Sequence, residues 1–248
     1  MDGCSLNKIP YTTDTAKPSA VGLIVLQTDE SIENEFRVFF DGSAAALYHT
    51  RIPNSPYVNA NTLAQMEKDI PQVSALLPDG LNAIAYACTI GATVIGEDKV
   101  QSAVQSVHPH TPVTNPLSAM LAACHVLNVR RLGFITPYIE EVSYAMRCRL
   151  EVKGLAITAF ASFNTEEDRT VARISEQSVL DAIVGIASKE EADAVFVSCT
   201  NLRTFNIIAE AERRIGKPVL SSNQVLAWHL SRLAGIKITK PQLGRLLY

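Results

Sequence analysis

Residues 82–89 read Asn-Ala-Ile-Ala-Tyr-Ala-Cys-Thr, and residues 193–200 read Asp-Ala-Val-Phe-Val-Ser-Cys-Thr. Each is a short apolar run that ends in Cys-Thr. Cys88 and Cys199 stand 111 residues apart, and the same interval lays Gly22-Leu23-Ile24 on Gly133-Phe134-Ile135. Pro112-Val113 and Pro218-Val219 match at an interval of 106. Strand-like segments and a Cys-Thr pair in one register point to an internal repeat, two similar units within one chain.

Around this repeat, strand candidates fall at 21–27, 44–50, 82–87, 112–114, 131–136, 155–160, 193–198 and 218–221. They are rich in β-branched residues and almost continuously apolar, as parallel strands covered on both faces require. Helix candidates lie between them, at 31–40, 60–76, 97–107, 116–127, 138–152, 175–189, 203–215 and 223–234. Asn115 before Pro116 reads as an N-cap with proline at the first helical position. The alternation predicts an α/β protein with right-handed crossovers. Its expected architecture is two similar halves of about four parallel strands, related by a pseudo-twofold axis, with the active site in the cleft between them. Residues 1–20 read as a polar arm, 21–111 plus 218–248 as the first half, and 112–217 as the second.

Composition narrows the function classes. The chain has 248 residues, 47% hydrophobic and 19% charged, which is an ordered globular composition. A net charge of -3 argues against a nucleic-acid partner. No run approaches the roughly 18–20 apolar residues needed to cross a bilayer, so no membrane association is expected. The first residues lack an apolar signal core, which predicts a cytoplasmic protein. The five cysteines, at 4, 88, 124, 148 and 199, contain no C-x-x-C spacing and suit a reducing compartment. His49, His125 and His229 are scattered, and His108-Pro109-His110 reads as a solvated connector. There is no dinucleotide fingerprint and no P-loop. The chemistry is therefore expected to need neither metal nor organic cofactor.

Each repeated cysteine ends a buried strand, where open α/β sheets collect ligands. Two such strand ends facing each other put Cys88 and Cys199 on opposite sides of one pocket. A thiol titrates near pH 8.5, and a helix N-terminus beside the sulfur favours the thiolate. One thiolate and one thiol across a carbon make a base and an acid; alternatively, one cysteine is a nucleophile and the other a proton donor. A cysteine at a strand end is by itself more often a small core hydrophobe. Two at repeat-equivalent positions, each followed by Thr, weigh against that reading. Cys4, Cys124 and Cys148 have no repeat partner and read as structural or solvated.

These residues resemble the Asp/Glu racemase superfamily of cofactor-independent racemases and isomerases. The likeness runs from about Val21 to Leu246 and is strongest to the branch of maleate cis–trans isomerase and arylmalonate decarboxylase. GLIVLQTDESIENEF at 22–36 is similar to that branch's first strand, loop and helix, and RRLGFITPYIEEV at 130–142 to its Tyr-containing segment. EEDRTVARI at 166–174, SCTNLR at 198–203 and SSNQ at 221–224 resemble the ectoine-utilisation racemase-like proteins most. The resemblance implies Cys88 and Cys199 as catalytic residues. It also implies that Tyr138 and Thr89 hold a substrate carboxylate, with Asn115, Thr136, Thr200 and Asn201 lining the same cavity. Arylmalonate decarboxylases carry Gly at the position of Cys88, which makes decarboxylation the less favoured expectation. The family further implies a homodimer or larger homo-oligomer.

One departure concerns the substrate. Maleate isomerases have an Asn-containing stretch after the first strand, and here it reads Gln27-Thr28-Asp29. Asp29 would repel a dianion and favour an ammonium or hydroxyl group; as a structural alternative it caps the helix that begins near Ser31. The sequence thus predicts a racemase or isomerase of a small amino or hydroxy (di)carboxylic acid, using two cysteines as an acid/base pair. The alternatives are maleate cis–trans isomerisation with Cys88 as nucleophile, arylmalonate-type decarboxylation, and non-enzymatic binding of a small molecule.

Overall fold

The computed structural model describes residues 9–14, 17–57, 62, 65–187 and 191–248. Part of the expected arm, Cys4, and parts of the helix candidates at 60–76 and 175–189 lie outside the described residues.

Two four-stranded sheets carry the fold. The first holds β1 (Ala20–Leu26), β2 (Ala46–Ile52), β3 (Ala83–Ala87) and β4 (Val113–Thr114), in the order β2-β1-β3-β4. The second holds β5 (Arg131–Thr136), β6 (Ala156–Ser162), β7 (Ala194–Val197) and β8 (Val219–Ser221), in the order β6-β5-β7-β8. Every pairing is parallel, and the register itself repeats. Val21 lies opposite Ala83 in one sheet and Leu132 opposite Ala194 in the other, each pair of equivalents 111 residues apart. The central strands β1, β3, β5 and β7 are almost wholly buried, while the edge strands β2 and β6 are partly exposed. That difference follows from position: a central strand is covered by helices on both faces and has no free edge.

Strand membership corrects the expected boundary at 111/112. β4 pairs with β3 and belongs to the first sheet; β8 pairs with β7 and belongs to the second. Helix Ser222–Leu233, which follows β8, does pack back on β3 and β4 and on helix Pro116–Val126. These two helices follow repeat-equivalent strands, so their mutual contact joins the halves.

Four helical readings also change. Helix Thr89–Ile95 follows Cys88 directly, ends at Gly96 with φ 96°, and is succeeded by Glu97–Gln105. Asp168–Arg173 is a further short helix. The candidate at 203–215 is helical only over Ile208–Ile215. Among the described residues of 60–76, a 3-10 turn at Met66–Lys68 leads into Ile70–Ser74. His108, expected to be solvated, is buried with its Nε2 2.8 Å from the Ser74 carbonyl oxygen. Among the described residues, no helix is long and apolar enough to cross a membrane.

Candidate active site

β3 delivers Cys88 in extended backbone (φ −147°, ψ 113°) as the N-cap of helix Thr89–Ile95, and its Sγ accepts the Gly91 N–H at 3.1 Å. The backbone here has no room for a larger residue at 91. A Cβ on Gly91 would lie 2.7 Å from the Tyr86 hydroxyl and 2.8 Å from Cys88 Sγ. Tyr86 is fully buried, and its hydroxyl therefore sits beside the sulfur.

Cys199 reaches the same region by a different backbone route. It is followed by a turn rather than by a helix, so the expected helix N-terminus at this sulfur is absent. Its φ is 139°, a conformation that side-chain-bearing residues rarely adopt and that neighbouring structure must enforce. Two hydrogen bonds help hold it. The Cys199 N–H donates to Ser222 Oγ at 3.0 Å, and the Asn201 N–H points at Cys199 Sγ at 3.3 Å. Ser222 Oγ is also 2.8 Å from Thr89 Oγ1, so one hydroxyl ties the Cys199 backbone to the first residue of the helix after Cys88.

Cys88 and Cys199 line one small cavity. Of the residues expected at the site, Asp29, Tyr138, Thr200 and Asn201 line it as well. Thr28, Thr89, Asn115 and Thr136 do not, because their polar groups are engaged behind or beside it. Thr28 Oγ1 donates to Asp168 Oδ2 at 2.5 Å and accepts from Asn54 Nδ2 at 2.8 Å. Thr89 is engaged with Ser222. Asn115 Oδ1 caps helix Pro116–Val126 by accepting the Leu117 and Ser118 N–H groups, both at 3.0 Å. The Thr136 hydroxyl lies 2.7 Å from Ser143 Oγ, at the start of the helix beyond Tyr138.

The structure adds residues that sequence reasoning did not single out. Asp168 lines the cavity as the first residue of its short helix, 5% exposed. The Asn201 Nδ2 donates to the Asp168 carbonyl at 2.9 Å, and the Asp168 N–H donates to the Pro56 carbonyl at 3.2 Å, fixing the acid between two loops. Asn54 and Tyr57 lie on the adjoining wall. Behind Cys199, Glu35 is buried on helix Ile32–Phe40 and accepts the N–H groups of Thr204 (2.5 Å) and Phe205 (2.8 Å) and the Asn223 carboxamide (2.7 Å). The same Asn223 amide donates to the Thr200 carbonyl at 2.8 Å. A carboxylate of the first half thus anchors the loop after the second half's cysteine.

Asp29 is the helix cap expected as its structural alternative, and it also lines the cavity. Its Oδ1 caps the helix by accepting the Ser31 and Ile32 N–H groups at 2.8 and 2.9 Å. Its Oδ2 is buried with no hydrogen bond of normal geometry.

The electrostatics of the cavity follow from burial. Burial pushes the Cys88 thiol up to about 12; the Gly91 N–H opposes this, and the charges of Asp168 and Asp29 add to it. Burial holds Cys199 well above the ordinary thiol range, Asp168 adds to it, and the Tyr138 hydroxyl and Asn201 N–H oppose it. Burial also raises Asp168, to about 6, against the Thr28 hydrogen bond and with the Asp29 charge. Asp29 is raised by burial despite its two backbone N–H donors. Both thiols are therefore neutral near pH 7, and the field that keeps them so comes partly from the two aspartates.

The model of the family described as arylmalonate decarboxylase matches residues 66–247. The chain belongs to the arylmalonate decarboxylase family. Members of that description are not its only relatives. A maleate isomerase of Nocardia farcinica is 25% identical over 241 residues, covering 92% of this chain and 94% of its own. A Pseudomonas putida S16 maleate isomerase, solved as a cysteine-to-alanine mutant with maleate, superposes with a TM-score of 0.85 at 18% identity, covering 93% of this chain and 98% of that one. The Nocardia farcinica maleate cis–trans isomerase, solved as a cysteine-to-serine mutant with a covalently bound succinylcysteine intermediate, gives a TM-score of 0.81 at 23% identity over 92% of this chain and 98% of that one. The family assignment agrees with the superfamily expected from the sequence, and the fold is the one these enzymes share.

Proposed function

We propose that the protein is a cofactor-independent isomerase of a small cis-unsaturated carboxylate, with Cys88 as nucleophile and Cys199 as its proton partner. The observation that carries this reading is the meeting of two repeat-equivalent cysteines in one cavity. The relatives named as maleate isomerases support it, as does the covalent cysteine adduct held by one of them. Cys88 is assigned as nucleophile because it caps helix Thr89–Ile95, whose N-terminus favours a thiolate, whereas Cys199 is followed by a turn.

The chemistry balances without an added reactant. The Cys88 sulfur bonds to the alkene carbon β to the carboxylate, and the π pair moves to the α-carbon. A proton relayed by Cys199 completes an adduct equal to substrate plus Cys88 S–H. The central carbon–carbon bond, now single, rotates. Cys199 takes back the α-proton, the sulfur–carbon bond breaks, and the trans isomer leaves. Tyr138 and Thr200 supply hydroxyls for the carboxylate where negative charge builds up.

Racemisation of an amino or hydroxy acid is the second reading. It rests on the same cysteine pair and on the likeness of 166–174, 198–203 and 221–224 to ectoine-utilisation proteins. Proton NMR of the protein with four-carbon cis-alkenoates, maleate among them, separates the two. New trans vinyl signals support the isomerase. Their absence, together with solvent deuterium entering the α-position of amino acids, transfers the site to racemisation.

A further inference from the structure

The cavity wall carries two acids, one from each sheet's side of the chain. Asp29 comes from the loop after β1 in the first sheet, and Asp168 from the short helix after β6 in the second. Both line the space between the cysteines, at 4% and 5% exposure. No Lys, Arg or His is among the described residues lining it. Arg51, whose guanidinium is the positive charge that acts on Asp29, is spent on the Leu26, Gln27 and Asp29 carbonyl oxygens and on Glu33, outside the cavity. Asp29 is only partly satisfied by the fold: one carboxylate oxygen caps a helix, and the other is buried with no hydrogen bond of normal geometry, the Thr200 hydroxyl being the donor nearby. A buried carboxylate oxygen so placed is costly, and a ligand that brings a donor relieves it.

A dianion such as maleate would add two negative charges to this space and raise the thiols further. A cation between the aspartates would do the opposite, cancelling the field that keeps Cys88 and Cys199 protonated. We propose that the cavity selects a zwitterionic substrate, one with a carboxylate at one end and an ammonium group at the other, with the ammonium held between Asp29 and Asp168. The inference rests on the isomerase reading only in taking this cavity as the substrate site.

Two matched pairs of four-carbon probes test it. Succinate and 4-aminobutanoate are unreactive and report binding by titration calorimetry. Maleate and cis-4-aminobut-2-enoate report turnover. The variants are Asp29→Asn and Asp168→Asn; each keeps an oxygen for the helix cap or for the Thr28 hydroxyl, so the fold is preserved. The wild type is expected to bind 4-aminobutanoate at least about tenfold more tightly than succinate, the scale of one buried charge-assisted contact. Each variant is expected to cut that preference about tenfold, and the double variant to reverse it. Succinate bound as well as 4-aminobutanoate, a preference unmoved by either variant, or no saturable binding of 4-aminobutanoate overturns the inference. If the binding preference holds but neither alkene is isomerised, the isomerase reading fails and the charge selection stands.

Discussion

Glu35→Ala tests whether a buried carboxylate holds the Cys199 loop. The substitution leaves three donors without their acceptor: the N–H groups of Thr204 and Phe205 and the Asn223 carboxamide. Each buried donor so orphaned costs about 1–3 kcal/mol, reduced by any water that enters. Against this stands the cost of the charge itself, since burial pushes Glu35 from 4.5 up to about 7. A displacement of that size corresponds to about 3 kcal/mol. The sign follows from linkage. A carboxyl with a raised folded-state pKa binds its proton more tightly when folded, so wild-type stability falls as pH rises from about 4.5 to about 7. Ala at 35 removes that slope. Urea unfolding should therefore show the variant destabilised by about 2.5 kcal/mol more at pH 5 than at pH 8. Other titrating groups are common to both proteins and cancel in the difference. A destabilisation that is equal at the two pH values, or larger at pH 8, would refute the reasoning.

Two further outcomes are expected. Tyr138→Phe removes a buried hydroxyl that lines the cavity beside Cys199; kcat/KM should fall by roughly 10–100-fold, the loss of one charge-assisted hydrogen bond, and an unchanged value would make the tyrosine structural only. Gly91→Ala places a methyl 2.7 Å from the Tyr86 hydroxyl and 2.8 Å from Cys88 Sγ; thermal unfolding should show a loss of about 1–3 kcal/mol, together with slower alkylation of Cys88 followed by peptide mapping, and wild-type values for both would mean that the pocket wall yields.

The sequence carried the strands well because the repeat did so. Gly22-Leu23-Ile24 and Gly133-Phe134-Ile135 are compact markers of two central strands, and equivalent residues pair in equivalent register. Helix Thr89–Ile95 is not legible because Thr-Ile-Gly-Ala-Thr-Val-Ile is mostly β-branched residues with one glycine, which disfavour helix; the Cys88 cap offsets that locally. Cys199 gave no sign of its positive φ, since neither Gly nor Asn occupies the position. Asn115 and Thr136 have the chemistry of pocket residues, but local partners take their polar groups. Asp168 was the hardest to see. EEDRTVARI reads as an exposed charged helix, and only the packing of 167–168 against Pro56 and Tyr57 turns one of its acids inward. Glu35 likewise sits in an amphipathic helix, and its burial depends on a loop 170 residues away in sequence.

The central claim is a division of labour between the two thiols, and intact-mass spectrometry of the single serine variants addresses it most directly. Each variant is incubated with cis-4-aminobut-2-enoate and, separately, with maleate. Cys199→Ser should hold a covalent adduct whose mass is that of the intact substrate and which maps to Cys88, because water can protonate the α-carbon after addition, whereas Ser is too weak a base to take the α-proton back and release product. Cys88→Ser should show no adduct and no turnover. Wild-type turnover by both variants, or an adduct on Cys199 in Cys88→Ser with none on Cys88 in Cys199→Ser, would contradict the account.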